Sequence, residues 1–363
     1  MFGDQVISAK RTRAKRVTIS DLARYLDLTK GTVSRALNDY PDISDSTRAR
    51  VRKAAEKLGY RPLSHAQAIR TGRTKSIGLV LEVTEHDAHR PFVDKFLAGL
   101  SEAASKQDWT LTVATASTES DTLRLMQKLA DEHKADGFIL PRTRLSDPRV
   151  DYLRDHDIPF VLYGRTADPT GCAWFDIQSE DAMRDAVLML GALGHKRIGF
   201  VPGSPGYTYA KLRLEGYKAG LETAGLSFDE ALVAEPAVNA AAGEAAAHML
   251  VSLDRPATAI VYSVDRAALG AYEAAKTRGL TIGQDLSLIS YDGIPESAMI
   301  VPQLTTWSVD SRGAGERLAE MLIQVIDGSE PEACRALVPA RLLDRGSHGP
   351  APKHVLTPTK TTL

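Results

Sequence analysis

VTISDLARYLDLTKGTVSRAL, residues 17–37, decides how the first part of the chain folds. Leu22, Ala23 and Leu26 recur at helical spacing and predict an amphipathic helix. Thr18, followed three residues later by Asp21, is a capping box with the shorter acid, so the helix starts at Thr18 and stops near Asp27. Thr29 is a second N-cap, after which Val33, Ala36 and Leu37 share a face. Two short helices joined by a turn of a few residues make a helix-turn-helix. A third helix follows: Ile43-Ser44 supplies an apolar staple and a hydroxyl cap, Val51, Ala54, Ala55 and Leu58 face inward, and Gly59 ends it. In this motif the second helix enters the major groove and its N-terminal side chains meet base edges. Here those are Lys30, Gly31, Thr32, Ser34 and Arg35. Arginine and lysine suit the two acceptors of guanine, while serine and threonine suit phosphate. Gly31 leaves open a place where a side chain could read a base. The alternative is a three-helix packing unit with no ligand.

The charge distribution bears on that choice. The 363 residues predict two to three domains, and 43% hydrophobic with 25% charged residues is ordinary for a soluble globular chain, which excludes wholesale disorder. No apolar run approaches the roughly 20 residues needed to cross a bilayer. The opening MFGDQVISAKRTRAKR has no apolar core after its charges and does not read as a secretory signal. Two cysteines, Cys172 and Cys334, make neither a disulfide framework nor a zinc site, and a reducing cytoplasm is expected. The net charge of −1 hides an asymmetry: residues 1–62 carry 14 Lys/Arg against 7 Asp/Glu, and the remainder carries 31 against 39. A basic head on an acidic body points to a polyanion partner for the head. The plainer alternative is a basic tail that binds nothing.

With VTISDLARYLDLTKGTVSRALN and then PDISDSTRARVRKAAEKLGYRP read together, the N-terminal part closely resembles the DNA-binding head of the LacI/GalR family of bacterial transcription regulators. "TVSRALN" and "GY-P" in this order are the specific elements. The resemblance implies that Lys30, Gly31 and Arg35 occupy base-reading positions, with Thr18, Thr29, Thr32, Ser34, Asn38 and Tyr60 completing the DNA-binding set. It places the head at 16–62, after a basic extension at 1–15 that such heads usually lack. It makes residues 63–73 a hinge that folds on operator DNA. There Ala66 and above all Ile69, where the family commonly has leucine, would wedge into the minor groove and kink the duplex. An ordinary linker is the alternative.

From Ser76 the pattern changes to alternation. Short β-branched runs (SIGLVLEV, TLTVATA, DGFIL, PFVLYG, RIGFVPG, ATAIVYS, LSLISYD) alternate with amphipathic stretches of helical length. This predicts an α/β architecture of parallel sheets covered by helices. The pattern fits either two doubly wound lobes or one (β/α)8 barrel. "LGHKRIGFVPG", "RLEGYKAGL" and "LSLISYDGIPESAMIVPQLTT" extend the resemblance over about residues 16–345. The family's effector domain looks like a periplasmic sugar-binding protein, so the expectation for residues 74–345 is two lobes of periplasmic-binding-protein type joined by three crossovers. No dinucleotide fingerprint or phosphate loop is present.

Ligands of open α/β sheets sit outside the carboxyl ends of strands. A sugar needs planar carboxylates and guanidiniums for its hydroxyls and an aromatic face for its C–H side. Candidates at such places are Phe92, Arg142, Arg165, Trp174, Asp176, Tyr207, Arg213, Asp265, Asp292 and Trp307. The resemblance strengthens Arg213, in "RLEGY", and Asp292, in "SYDG", where the family clamps sugar hydroxyls. Asp265 could instead cap the following helix, Tyr207 could be a surface residue, and Trp307 could be core. His195 reads as a helix-to-strand junction rather than a catalyst.

"YLRDHDIPFVLYGR" and "HRPFVDKFLAGL" look most like the branch responding to α-glucosides. The expectation is therefore a homodimeric repressor of a palindromic operator, with no cofactor and no metal, released by a disaccharide such as sucrose. A corepressor-type regulator and a sugar-modifying enzyme fused to a DNA-binding head remain alternatives. Residues 346–363, rich in Gly, Pro and Thr, are expected to be a flexible tail, and the absence of a leucine heptad favours a dimer over a tetramer.

Overall fold

The computed structural model describes residues 17–61, 72–83 and 91–353, with the side chains of residues 91 and 92 left aside. The chain divides into two compact units between residues 74 and 75. The extension at 1–15, most of the 63–73 hinge with Ala66 and Ile69, and the side chain of Phe92 lie outside the described residues.

The first unit is three helices: α1 (Ile19–Leu26), α2 (Lys30–Leu37) and α3 (Asp45–Leu58). The boundaries follow from their caps. The Thr18 side chain accepts from Asp21 N–H while the Asp21 carboxylate accepts from Thr18 N–H, which is the reciprocal box expected. Thr29 and Ser44 cap α2 and α3, and Asp27 and Gly59 end α1 and α3 in the left-handed conformation. Leu22, Ala23, Val33, Ala36, Val51, Ala54 and Ala55 form a sealed core, with Ile43, Leu58 and Tyr60 packed against it.

The second unit has two lobes. In the first, a six-stranded parallel sheet runs β10-β5-β4-β3-β1-β2, built from β1 (Ser76–Glu82), β2 (Thr110–Ala116), β3 (Gly137–Pro141), β4 (Phe160–Tyr163), β5 (Ala173–Ile177) and β10 (Arg335–Val338). In the second, the order is β11-β9-β8-β7-β6, from β6 (Ile198–Val201), β7 (Ala259–Tyr262), β8 (Ser287–Asp292), β9 (Thr305–Ser308) and β11 (Arg341–Leu343); only β11 is antiparallel. The chain crosses between lobes three times: after β5, after β9 and between β10 and β11. An open pair of sheets, not a closed barrel, is therefore the answer to the alternation.

Helices cover both faces of each sheet. In the first lobe these are α4 (Pro91–Lys106) and α11 (Ser311–Ile326) on one face, and α5 (Glu119–Asp131) and α6 (Pro148–Asp155) on the other. In the second they are α7 (Ser179–Ala192) and α8 (Thr208–Thr223), then α9 (Ala240–Val251) and α10 (Asp265–Thr277). One apolar core runs from Ile77 and Phe96 in the first lobe to Phe200, Tyr217 and Tyr291 in the second. The helix pairs approach through glycine. A Cβ at Gly243 would lie 1.9 Å from Ala267 O, and one at Gly270 would lie 1.9 Å from Ala240 O, so α9 and α10 pack at a distance only glycine permits.

The expected flexible tail is corrected for its first part. Ser347 is fully buried; its hydroxyl donates to Leu288 O (2.6 Å) and accepts from Thr305 N–H (2.8 Å). Gly349 N–H donates to Ser287 Oγ (3.0 Å) and Ala351 N–H to Leu193 O (2.9 Å). A Gly/Pro-rich composition suits an irregular strap as well as a loose end, because such a strap satisfies its backbone on a neighbour rather than in a helix. His195 receives this strap: its ring bridges Thr258 Oγ1 (2.9 Å) and Gly349 O (3.0 Å), and burial lowers its pKa.

Candidate functional site

On the head, Lys30, Gly31 and Arg35 are exposed on α2, with Thr32 and Ser34 half-buried beside them. The Thr29 hydroxyl accepts from Thr32 N–H (3.1 Å), so Thr29 holds the helix start. Nothing crowds Gly31: a Cβ there would meet only Thr29 Oγ1, at 3.7 Å. Asn38 donates to Ser34 O (2.7 Å) and closes the helix end. Tyr60 packs into the head core, which gives it a structural task. Arg35 is held by Asp42 and lies beside the Tyr40 ring.

In the second unit the carboxyl ends of the two parallel sheets converge. Tyr207, at the start of α8 after β6, reaches the loop after β3. Arg142 Cζ lies 4.3 Å and Arg144 Cζ 4.9 Å from its ring centroid, and Thr208 N–H donates to Thr143 O (3.0 Å). Arg144 also pairs with Glu119 (3.0 Å). Tyr207 is thus a clasp between the lobes, and Arg142, in the left-handed conformation (φ +55°), is its partner.

Deeper in the cleft lies Arg213, on α8, with only 8% of its surface exposed. Its guanidinium sits 3.8 Å from the Tyr291 ring and 4.7 Å from the Tyr209 ring, and Nη1 donates to Ser263 O (2.5 Å). Its Nε is buried with no hydrogen-bond partner among the described residues, as are Ser263 Oγ, Thr208 Oγ1 and Trp307 Nε1. A buried guanidinium with an idle donor is costly unless something supplies an acceptor. Asp292 ends β8 at φ +125°, a backbone region that non-glycine residues rarely adopt and that is found at ligand sites. Burial raises the Tyr163 and Tyr291 hydroxyl pKa values. The charges of Asp176 and Asp292 add to this and that of Arg213 opposes it, so these groups share one neighbourhood across both lobes.

Five candidates have other work: Asp265, Arg165, Asp176, Trp174 and Trp307. Asp265 is fully buried. Its Oδ2 accepts from Gly293 N–H (2.9 Å) and Ile294 N–H (3.0 Å), and its Oδ1 from Thr306 Oγ1 (2.7 Å). The carboxylate neither caps its own helix nor keeps an edge for a ligand; it pins the turn that carries Asp292. Burial, only partly offset by these bonds, pushes its pKa up to about 6. Arg165 is consumed by Asp176 (2.6 Å) and by Glu180 (2.8 Å), which begins the second lobe, so the triad ties the first crossover. Burial raises the Asp176 pKa more than Arg165 lowers it. Trp174 lies early in β5, opposite Leu162 of β4, and packs against the core on the far side of the sheet. Trp307 packs on the shared core, the alternative already open for it.

The sequence alone does not single out Arg144, Tyr163, Tyr209, Ser263 and Tyr291. The signal for Tyr163, Ser263 and Tyr291 was their place at the ends of PFVLYG, ATAIVYS and LSLISYD. Tyr209 and Arg144 carried none, because only the fold brings them to the cleft. Among the described residues, no cluster of His, Cys, Asp and Glu could hold a metal ion, and no helix is long and apolar enough to cross a membrane.

A helix-turn-helix head followed by two open α/β lobes with a polar cleft at their facing strand ends defines a DNA-binding regulator with a ligand-binding type of body. The comparisons agree. Residues 18–63 match "Bacterial regulatory proteins, lacI family" and residues 187–348 match "Periplasmic binding protein-like domain". The chain is 37% identical over 347 residues to the HTH-type transcriptional regulator AglR of Rhizobium meliloti (strain 1021), covering 93% of this chain and 95% of that one. It is 30% identical over 319 residues to the HTH-type transcriptional regulator RafR of Escherichia coli, covering 87% and 94%. Among solved structures, the lac repressor dimer bound to operator and the anti-inducer ONPF is similar with a TM-score of 0.77 at 25% identity, and a CelR–cellobiose complex with 0.70 at 26%; each match covers 92% of this chain and 100% of the other. The chain belongs to the lacI family of bacterial transcription regulators. The relatives named are regulators, not enzymes, which answers the fused-enzyme alternative.

Proposed function

We propose that this protein is a homodimeric repressor whose α2 helices read the two halves of a palindromic operator, and whose operator affinity falls when a sugar enters the interlobe cleft. Lys30 and Arg35 are the base readers, Thr32 and Ser34 phosphate contacts, and the 63–73 hinge, with Ala66 and Ile69, the minor-groove wedge. Two-fold symmetry of the protein demands two-fold symmetry of the site.

One observation carries the sugar: the buried Arg213, with its idle Nε, beside the strained Asp292. A guanidinium and a carboxylate set among aromatic rings suit neutral hydroxyls and their C–H faces. With the Arg165–Asp176–Glu180 triad and the Arg144–Glu119 pair counted whole beside Arg142, Arg213 and Asp292, these groups carry four charges of each sign, so neither sign dominates. The ligand is an α-glucoside disaccharide such as sucrose, acting as inducer. Two similar structures support the operator and disaccharide parts of this reading, one of the lac repressor on operator DNA and one of CelR with cellobiose.

The test is a melting-temperature screen against mono- and disaccharides, followed by titration of an operator duplex with and without the sugar that raises the melting point. A sugar that stabilises the protein and weakens operator binding is the expected result. A sugar that strengthens operator binding would establish corepression, and no response to any saccharide would remove the effector reading.

A further inference from the structure

Arg35 does not stand loose on α2. Its guanidinium pairs with the Asp42 carboxylate, and its Cζ lies 5.6 Å from the centre of the Tyr40 ring. The backbone makes this geometry. Asn38 N–H (3.3 Å) and Tyr40 N–H (3.1 Å) both donate to Arg35 O, folding residues 38–40 back under the end of α2. Asp39 turns the chain at φ +55°, and its carboxylate holds Arg52 (2.5 Å). Ile43 N–H donates to Tyr40 O (3.1 Å), and the Ile43 side chain anchors in the head core. Asp42 therefore sits on a turn tied at both sides, one residue before an apolar anchor and two before the Ser44 cap of α3. The pair is nonetheless at the surface: 52% of the Arg35 side chain and 44% of the Asp42 side chain are exposed.

We infer that Asp42 is a positioning residue that sets DNA specificity by holding Arg35. This rests on Arg35 reading a base, as proposed above. A guanidinium has five N–H donors in a rigid fork, so a carboxylate on one edge leaves the other edge for the paired acceptors of guanine. Released from Asp42, Arg35 can swing to the nearest phosphate, which attracts it without regard to sequence. The Asp42 charge also faces the polyanion and repels it. Together the two effects give one signature: Asp42 lowers affinity for unselected DNA and raises the discrimination between it and the selected site. An ordinary surface ion pair has no such signature, and a carboxylate that merely masks Arg35 would weaken every duplex equally.

The test uses the full chain, a duplex selected by the protein from a randomised library, a scrambled duplex of the same composition, and copies of the selected duplex carrying 7-deazaguanine at one guanine at a time. Asp42→Asn should bind the scrambled duplex about threefold tighter while the ratio of selected to scrambled affinity falls about tenfold, the scale of one base contact. The 7-deazaguanine penalty at one particular guanine should shrink with it, and Asp42→Glu should restore part of that penalty. Arg35→Ala should abolish the penalty at the same guanine; if it does not, Arg35 reads no base and the premise falls. If Arg35→Ala abolishes it while Asp42→Asn leaves the affinity ratio unchanged, the inference about Asp42 alone is overturned. An unchanged helical circular dichroism spectrum and melting profile for each variant separates these outcomes from unfolding.

Discussion

Two buried charges in the cleft are used in opposite ways. Asp265 spends its carboxylate on protein: two backbone amides and one hydroxyl point at it. Burial still outweighs them, and its pKa of about 6 lies above the unfolded value near 4. A carboxyl group raised in this way contributes stability that is complete below the unfolded pKa and is lost as pH rises through the folded one. Unfolding free energy should therefore decline between about pH 4 and pH 6, with on the order of 3 kcal/mol as the ceiling for this group. Asp265→Asn, which cannot ionise, should flatten that part of the profile in denaturant titrations at a series of pH values. A slope in the variant equal to the parent's would place the titration elsewhere. Arg213, by contrast, keeps a donor idle. Lysine at this position retains the charge but not the fork, so Arg213→Lys should weaken sugar binding by about a hundredfold, read as a lost melting shift, with the melting point of the sugar-free protein changed much less.

At the scale of elements, the caps and runs of the sequence were enough for most of the architecture. Thr18, Thr29, Ser44 and Gly59 marked helix ends in the head because each has a local task that one side chain, or its absence, performs. The β-branched runs marked the interior strands because these are buried on both faces. What stayed hidden depends on partners far along the chain. The strands β10 and β11 have four and three residues and no pattern of their own; they exist because β5 and β9 offer open edges. The work of Asp265 was illegible for the same reason, since the amides it holds lie 28 and 29 residues away. The strap at 344–351 is the sharpest case. Its composition reads as loose, yet Ser347 bridges β8 and β9 from a fully buried position. Ser347→Ala leaves the Thr305 N–H without its acceptor, and should cost about 1–3 kcal/mol. Equilibrium unfolding of the 75–363 unit, followed by its tryptophan fluorescence, is the measurement. A loss below half a kcal/mol would mean that the strap is an ornament on an already complete lobe.

For the whole molecule the question is what would join the two copies of the proposed dimer. Val301 is 91% exposed and Met299 77%, in a lobe whose other large apolar residues are mostly buried, and the neighbouring Ile300 packs into the second-lobe core. Exposed apolar side chains on a fixed loop are what a partner surface requires. Operator affinity depends on such a partner, because two heads on one duplex bind as linked sites, and a single head keeps only its own contacts. If the proposed dimer forms through this loop, Val301→Asp puts a charge into the contact. It should shift the dimer toward monomer in sedimentation at micromolar concentration and weaken operator binding by more than tenfold, while leaving the sugar-induced melting shift in place. The linkage between ligands should change with it. In the proposed dimer, sugar would weaken operator binding and operator would weaken sugar binding by one common factor, since both would act on the same equilibrium. If that equilibrium is the arrangement of two copies rather than a change within one, the factor should fall toward one in the monomeric variant. If sugar still loosens a lone head from DNA by the parental factor, the coupling is carried inside the single chain, and the dimer serves affinity alone.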